Sequence, residues 1–335
     1  MSNEKILLGH GSGGSLMHSL IRERIVRKLS NPVLDLLGDS AIVSAGREAA
    51  FTTDSFVVSP VEFFGGDIGK LAVCGTVNDL VMLAASPEYL SLAFIVEEGL
   101  SFSLFDRVID SIALTAGQAG ARIATGDFKV VEKGSADKIF INTSGIGRIV
   151  AGRIPSLRNI TTGDKVIITG NIGQHGLSVL ARRKGLDFDF KIKSDCACLD
   201  GLLLPLFKAG SSIKFMRDPT RGGIATTLNE IAVGCGLGIE IDEKSIPVSS
   251  GVRAACELLG IDPLYMACEG RAVIVAAHKR ADDIVTKLRR HPLGKNAAVI
   301  GRVGRSPKAK VVMNTGFGTQ RIVDMLSSDP LPRIC

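Results

Sequence analysis

The chain of 335 residues has no tryptophan and only two tyrosines, too few aromatic faces for a platform that stacks single-stranded nucleic acid. No apolar run approaches the ~20 residues that span a bilayer. The first residues, Met1-Ser2-Asn3-Glu4-Lys5, lack the charged-then-apolar layout of an export signal. A cytoplasmic protein is expected, with no membrane and no nucleic-acid partner. The formal net charge of +6 is a mild excess, and its densest cluster, Arg22, Arg24, Arg27 and Lys28, falls at helical spacing suited to a solvated face. Cys-x-x-Cys pairs are absent. The seven cysteines (Cys74, Cys196, Cys198, Cys235, Cys256, Cys268 and Cys335) sit mostly among apolar or glycine residues, as reduced core thiols do, and the lone Cys196-x-Cys198 is a weak metal signature. A conventional phosphate loop is also missing. Gly65-Gly66-Asp67-Ile68-Gly69-Lys70-Leu71 has the wrong glycine spacing, and Leu71 stands where a metal-binding hydroxyl is needed.

What is present is length and apolar content, 45% hydrophobic residues, enough for two domains with their own cores. Residues 1–37 suggest a glycine-rich lid, with Gly9, Gly11 and Gly14, leading into a helix over Ser15 to Leu29. Residues 38–150 alternate strand-like runs (Ala49 to Thr53, Tyr89 to Val96, Arg122 to Thr125, Lys138 to Asn142) with helical ones (Asp67 to Ala85, Ser103 to Ala119). The first of these helices places Val73, Val77 and Leu80 on one stripe with Leu83 and Ala84. A polar linker holding Pro155 precedes a second alternating block over 163–312, and residues 313–335 read as a flexible tail. The pattern predicts two α/β domains. The tail ends Pro330-Leu331-Pro332-Arg333-Ile334-Cys335, a thiol on an arm stiffened by two prolines.

The recurring chemical feature is an aspartate at the end of an apolar run, beside a glycine, serine or asparagine: Asp39, Asp54, Asp79, Asp127 and Asp218. Singly each suits an N-cap or turn. Together, converging on one sheet edge, they suit Mg²⁺ ions and the phosphates of ATP, because Mg²⁺ takes oxygen ligands from a few carboxylates plus phosphate. Asn78-Asp79 interrupts an otherwise apolar helix, at a cost unless the pair binds something. Gly65-Gly66 and Gly222-Gly223 each open a helix, where backbone N–H groups either serve a tight turn or meet phosphate. Lys129, two residues after Asp127, and Arg221 near Asp218 are placed to neutralise phosphate charge. Glu269, just before an apolar strand, is either a surface residue or a general base. His10 in the lid is the most suggestive histidine.

The strings GHGSGG, TDS, GGDIGK, Asn78-Asp79, TGDFKVV, DKIFINTSG, RDPTRGG, CEG, HPLGK and the terminal PRIC closely resemble, over nearly the whole chain, the HypE family of hydrogenase maturation proteins. Its superfamily includes aminoimidazole ribonucleotide synthetase, selenophosphate synthetase and thiamine-phosphate kinase. The resemblance implies a PurM-like pair of mixed α/β domains, the N-terminal one forming the interface of a homodimer, with ATP in a cleft between domains. It implies an ATP-dependent carbamoyl dehydratase. The partner HypF would carbamoylate Cys335, ATP would drive dehydration to a thiocyanate, and the cyano group would pass to iron on a HypC–HypD complex. By motif match Asp39, Asp54, Asp79, Asp127 and Asp218 would hold Mg²⁺ and, with Gly65, Gly66, Asn78, Arg221, Gly222 and Gly223, the nucleotide. Lys129, Glu269 and His10 are the candidates for charge stabilisation and proton transfer. An alternative is a small-molecule kinase or ligase of the same superfamily in which the tail is idle.

Overall fold

The protein is described from a computed structural model, over residues 5–7, 10, 19–32, 34–36, 48–150, 152, 154–186, 192–207, 212–325, 331 and 333–335. Asp39, the lid glycines Gly9, Gly11 and Gly14, and Pro330 and Pro332 lie outside the described residues.

In the N-terminal half, β1 (Ala49–Phe56), β4 (Ala85–Glu97), β5 (Arg122–Val131) and β6 (Ile139–Ile149) form a four-stranded sheet in the order β1-β6-β4-β5. Only β4 and β5 run parallel, joined by the crossover helix α2 (Phe102–Ala119) that a parallel pair requires. A short hairpin of β2 (Glu62–Phe63) and β3 (Gly66–Asp67) leads into α1 (Ile68–Met82). The sequence suggested one apolar stripe on α1. Instead 13 of its 15 residues are buried, as expected of a helix that is apolar all round and enclosed on every side. It ends at Met82, and Leu83 turns outward, 42% exposed. α2 is amphipathic, and Phe105, Val108, Ile109 and Ile112 face inward.

In the C-terminal half, β7 (Lys165–Ile168), β8 (Ile213–Arg217), β9 (Gly238–Asp242), β10 (Val273–Ala276), β11 (Ala298–Gly304), β12 (Val311–Asn314) and β13 (Gln320–Val323) form a seven-stranded sheet ordered β13-β12-β9-β11-β7-β10-β8. Helices α3 (Gln174–Lys184), α4 (Asp200–Leu203), α5 (Gly223–Cys235), α6 (Ser250–Leu259) and α7 (Ala281–Arg289) complete it. The helix expected over Leu199 to Ala209 is the short α4 followed by a 3₁₀ turn at Leu204–Leu206, where Pro205 cannot donate to a continuing α-helix. Residues from 313 onward were expected to form a structureless tail. They begin instead by completing β12 and adding β13, which pairs antiparallel along it from Val311↔Val323 to Asn314↔Gln320.

Both sheets are therefore mixed and mainly antiparallel, so no row of parallel strand ends gathers the aspartates, and the gathering falls between domains. One continuous apolar cluster joins the halves: Ile68, Leu71 and Phe105 pack in the same core as Leu177, Leu199 and Ile334. A second core under α5 belongs to the C-terminal sheet. Asn78 brackets the junction. Its side-chain N–H₂ donates to Ala197 O (3.1 Å) and Glu269 O (3.2 Å), and its Oδ1 accepts from Leu199 N (2.9 Å). The helix cost of Asn78 is thus offset by protein backbone. Asn78→Ala removes these three bonds between the halves, stranding Leu199 N in the core, and is expected to cost about 2–4 kcal/mol, read as a lowered midpoint in urea unfolding, while an unchanged midpoint would disprove the bracket.

Candidate active site

Between the domains lies a cavity of ≈ 270 Å³ bordered by Asp54, Asp79, Asp218, Arg221, Glu269 and Cys335. Strand alternation turns Asp54 to the same side of β1 as the buried Phe56. Asp79 stands on the last turn of α1, where Thr52 donates its hydroxyl to Oδ2 at 2.8 Å. Asp218 follows β8 directly. Burial raises the pKa of Asp54, and repulsion from Asp79 adds to this. Burial also raises Asp79. Asp218, desolvated and repelled by Asp79 and Asp54, is pushed up to about 7. Arg221 approaches Asp54 at 3.6 Å but is itself largely exposed. Three oxygen donors that repel one another fit a hard divalent cation. Among the described residues no group of three or more His, Cys, Asp or Glu side chains is placed to hold a metal ion, so a cation here would need further oxygen ligands such as phosphate.

The terminal residues are docked into this cleft. Val57 N–H donates to Cys335 O (3.1 Å) and Ser59 N–H to Arg333 O (3.3 Å). Arg183 donates to both Ser59 O and Arg333 O, each at 2.7 Å. The Arg333 side chain reaches Val57 O at 3.0 Å and pairs with Asp137 at 3.0 Å. Ile334 is buried in the shared core, worth about 2 kcal/mol. Its carbonyl accepts from His175 Nε2 (2.8 Å), so the ring's Nδ1 accepts the Ser194 hydroxyl (2.8 Å). Burial lowers the His175 pKa and keeps this neutral tautomer. The Cys335 thiol then points into the cavity. Burial and the nearby Glu269 carboxylate push it up to about 12, against the Arg221 guanidinium that hydrogen-bonds it.

Glu269 is 2% exposed, and its Oε1 has no hydrogen-bond partner. Burial first, then the electrostatic influence of neighbouring Cys196, Asp218, Asp195 and Asp54, raises its pKa well above the ordinary carboxylate range. The adjoining turn is fixed from behind. The Asp195 carboxylate accepts from Glu269 N (3.5 Å) and Gly270 N (3.3 Å). A Cβ at Gly270 would stand 1.8 Å from Asp195 O, so only glycine fits.

Gly222 and Gly223 adopt positive φ (64° and 59°) and open α5 without a side-chain cap, next to Thr226 and Thr227 of the cavity wall. Gly65 and Gly66 do not border the cavity. Gly65 backs onto the Ser194 backbone, and the N-terminus of α1 is already filled by the Asp67 carboxylate, which accepts from Gly69 N and Lys70 N. No seat is left there for phosphate. Asn78 is occupied by the interdomain bracket. Asp127 and Lys129 pair with each other at 2.8 Å on the open face of the N-terminal sheet, away from the cavity. His10 Nδ1 accepts from Leu7 N, and its ring packs edge-on against Phe102, also away from the cavity. His175, Arg183 and Asp195, with Thr226 and Glu230 of the wall, carried no motif, spacing or charge pattern in the sequence that marks such contacts, whereas Arg217 of the wall heads the RDPTRGG string.

Two halves of the chain match one fold family: residues 37–149 match "AIR synthase related protein, N-terminal domain" and 161–314 match "AIR synthase related protein, C-terminal domain". The architecture and cleft are those of the two-domain AIR synthase related enzymes. A thiamine-monophosphate kinase structure from Stenotrophomonas maltophilia shares the fold alone, with TM-score 0.67 at 17% identity over 89% of this chain and 96% of that one. The carbamoyl dehydratase HypE of Rhizobium leguminosarum bv. viciae is 47% identical over 337 residues, 100% of this chain and 96% of its own. That of Cupriavidus necator is 44% identical over 333 residues, 99% and 95%. A crystal structure of the hydrogenase maturation protein HypE in complex with ATP superposes with TM-score 0.95, 44% identity, and coverage of 98% and 99%. A HypE–HypF complex gives TM-score 0.81 at 46% identity, covering 92% and 100%. The chain belongs to the HypE family of carbamoyl dehydratases.

Asp218 gives the cleft a pH signature. Its folded pKa of about 7 lies above the ordinary value of 3.8, so the folded state binds its proton more tightly and loses stability as pH rises from about 4 through about 7. In Mg²⁺-free buffer, Asp218→Asn should match the parent in thermal midpoint at pH 4 and exceed it at pH 8. A difference independent of pH would refute the assignment.

Proposed function

We propose that this carbamoyl dehydratase acts on its own C-terminal residue: with ATP it dehydrates a carbamoyl group on Cys335 to a thiocyanate, the source of a cyanide ligand for hydrogenase iron. The observation that carries the reading is the Cys335 thiol docked beside Glu269, opposite Asp54, Asp79 and Asp218. A carboxamide oxygen leaves poorly. Transfer of the ATP γ-phosphoryl to it turns water loss into proton removal from nitrogen with departure of phosphate, leaving Cys335–S–C≡N, ADP and phosphate. Asp54, Asp79 and Asp218 would hold Mg²⁺, which supplies charge neutralisation between phosphate oxygens. Uncapped N–H groups at Gly222-Gly223 and the Arg221 guanidinium face the same phosphates. Glu269, unpartnered at Oε1 and of raised basicity, takes the nitrogen proton. His175, Arg183 and the Val57–Ser59 edge hold the tail so that the reacting carbon stays against that carboxylate.

Loading belongs outside the cleft. A thiol whose pKa is pushed up to about 12 is protonated at neutral pH and a poor nucleophile, so Cys335 is carbamoylated by HypF with the tail undocked. Delivery to a HypC–HypD complex in the cytoplasm uses the same excursion. The described residues include no helix long and apolar enough to cross a membrane.

A homodimer formed through the open face of the N-terminal sheet fits the same reading. Phe51 and Ile95, 70% and 45% exposed, lie on that face with the half-buried Phe140 and Ile146, a contiguous apolar group of the kind that marks an interaction face. Asp127 and Lys129 share it, and dimerisation would bring this pair towards the second protomer's phosphates. Phe51→Asp should shift the mass in solution from dimer to monomer by light scattering, and an unshifted mass would remove that interface.

The decisive experiment carbamoylates Cys335, adds MgATP and weighs the C-terminal peptide. Loss of one water is expected. An unchanged peptide mass, with ATP turnover directed instead at a free metabolite and surviving Cys335→Ala, would establish the small-molecule kinase reading. Glu269→Gln should bind ATP and dock the tail yet lower the dehydration rate by about 10²–10⁴-fold, the usual worth of a general base.

A further inference from the structure

Beneath the cleft, three thiols meet that the tail chemistry does not use. Cys74 is fully buried on α1, one helical turn before Asn78. Cys196 and Cys198 belong to the segment 192–199 that crosses α1. The Cys198 thiol donates to the Cys74 sulfur at 3.7 Å, and Cys196 hydrogen-bonds Cys74 as well. Cys198 is half-buried, whereas the other two are enclosed, so an external reagent meets Cys198 first. The segment is coupled to the site: Asn78 holds Ala197 O, Glu269 O and Leu199 N, and Ala197 N donates to Glu269 O at 3.5 Å.

We propose that Cys74 and Cys198 form a redox-responsive pair, closing to a disulfide by exchange with a low-molecular-weight disulfide of the glutathione class, tying α1 to residues 197–199 and arresting turnover. The Cys198 thiolate attacks one sulfur of R–S–S–R and expels RS⁻, giving Cys198–S–S–R. Hydrogen bonds from Cys196 and Cys198, with burial, raise the Cys74 pKa, so the second exchange is the slow step: the Cys74 thiol passes its proton to that RS⁻, attacks the Cys198 sulfur and expels a second RS⁻, which takes the proton that Cys198 gave up. Two protein thiols are oxidised by two electrons, and one R–S–S–R is reduced to two RSH. A disulfide is about 2.05 Å long, so closure draws the sulfurs together from 3.7 Å and shifts residues 197–199 against Asn78 and the Glu269 carbonyl. The covalent bond ties α1, which carries Asp79, to the segment whose Ala197 and Cys196 neighbour Glu269. Misplacement on the order of 1 Å costs up to about 10²-fold in rate.

The full-length protein, incubated with oxidised glutathione, is alkylated and digested without reduction. A peptide pair linked through Cys74 and Cys198, released by dithiothreitol, is expected, with a raised thermal midpoint and at least a tenfold slower dehydration. Cys198→Ser should form no link and keep its rate in the oxidant. Cys74→Ala should leave a glutathione adduct on Cys198, and if that buried change prevents folding, Cys198→Ser alone decides. No linked pair, an adduct remaining on Cys198 of the unaltered protein, or a link through Cys196 or Cys335 overturns the pairing. A linked protein with an undiminished rate overturns the arrest. The loss of turnover rests on the proposed function, while the cross-link does not: a linked protein inactive in both redox states counts against that function and supports the pair.

Discussion

The constraint on which the structure depends is the concentration of negative charge in a partly dry cleft. Asp54, Asp79 and Asp218 face one another, and Glu269 stands behind them with one oxygen unpartnered. An isolated domain edge would relieve such repulsion by exposing the carboxyls to water. Here the relief is blocked, because α1 is buried on all sides and shares one apolar core with the C-terminal half. The core's burial energy holds the acids in place, and their raised pKa values express the cost. A cation and a triphosphate are the natural complement to this arrangement.

The same packing explains the tail. The apolar anchor is Ile334 in the shared core, while the polar anchors are carbonyls received by His175, Arg183, Val57 and Ser59. None of these contacts uses the Cys335 side chain, so the stem is fixed without it and the thiol is left to face the cavity and Arg221. Its suppressed acidity in the cleft and its need to be nucleophilic elsewhere divide the cycle into an undocked loading step and a docked dehydration step. Asp195 and Gly270 place Glu269 at the meeting point, with glycine required because the Asp195 backbone passes where a side chain would begin.

Much of the site was legible in the residues. Asp54, Asp79, Asp218, Arg221, Glu269 and Cys335 were singled out as polar groups at the ends of apolar runs or at an unusual terminus, and they border one cavity. Other expectations diverged for local reasons. The seat at Gly65-Gly66 is filled by the Asp67 cap and Asn78 is consumed by backbone bonds to the other domain, whereas Asp127 and Lys129, on the opposite face of the sheet, keep a place in the site only through the proposed dimer. His175, which the sequence did not single out, holds the Ile334 carbonyl. A contact between residues 159 positions apart leaves no periodicity to detect.

The sequence by itself determined most of the strands and helices and their division into two α/β blocks, because these follow from short-range periodicity, composition and turn chemistry. It also carried the aspartate motifs that mark the superfamily. Tertiary structure alone decided that the strands build mixed, mainly antiparallel sheets, that the acids meet between domains rather than at a strand-end edge, and that the last residues extend a sheet edge and then enter the core. Those outcomes depend on pairings across hundreds of residues, where the energy lies in shared burial and satisfied backbone groups rather than in any local pattern.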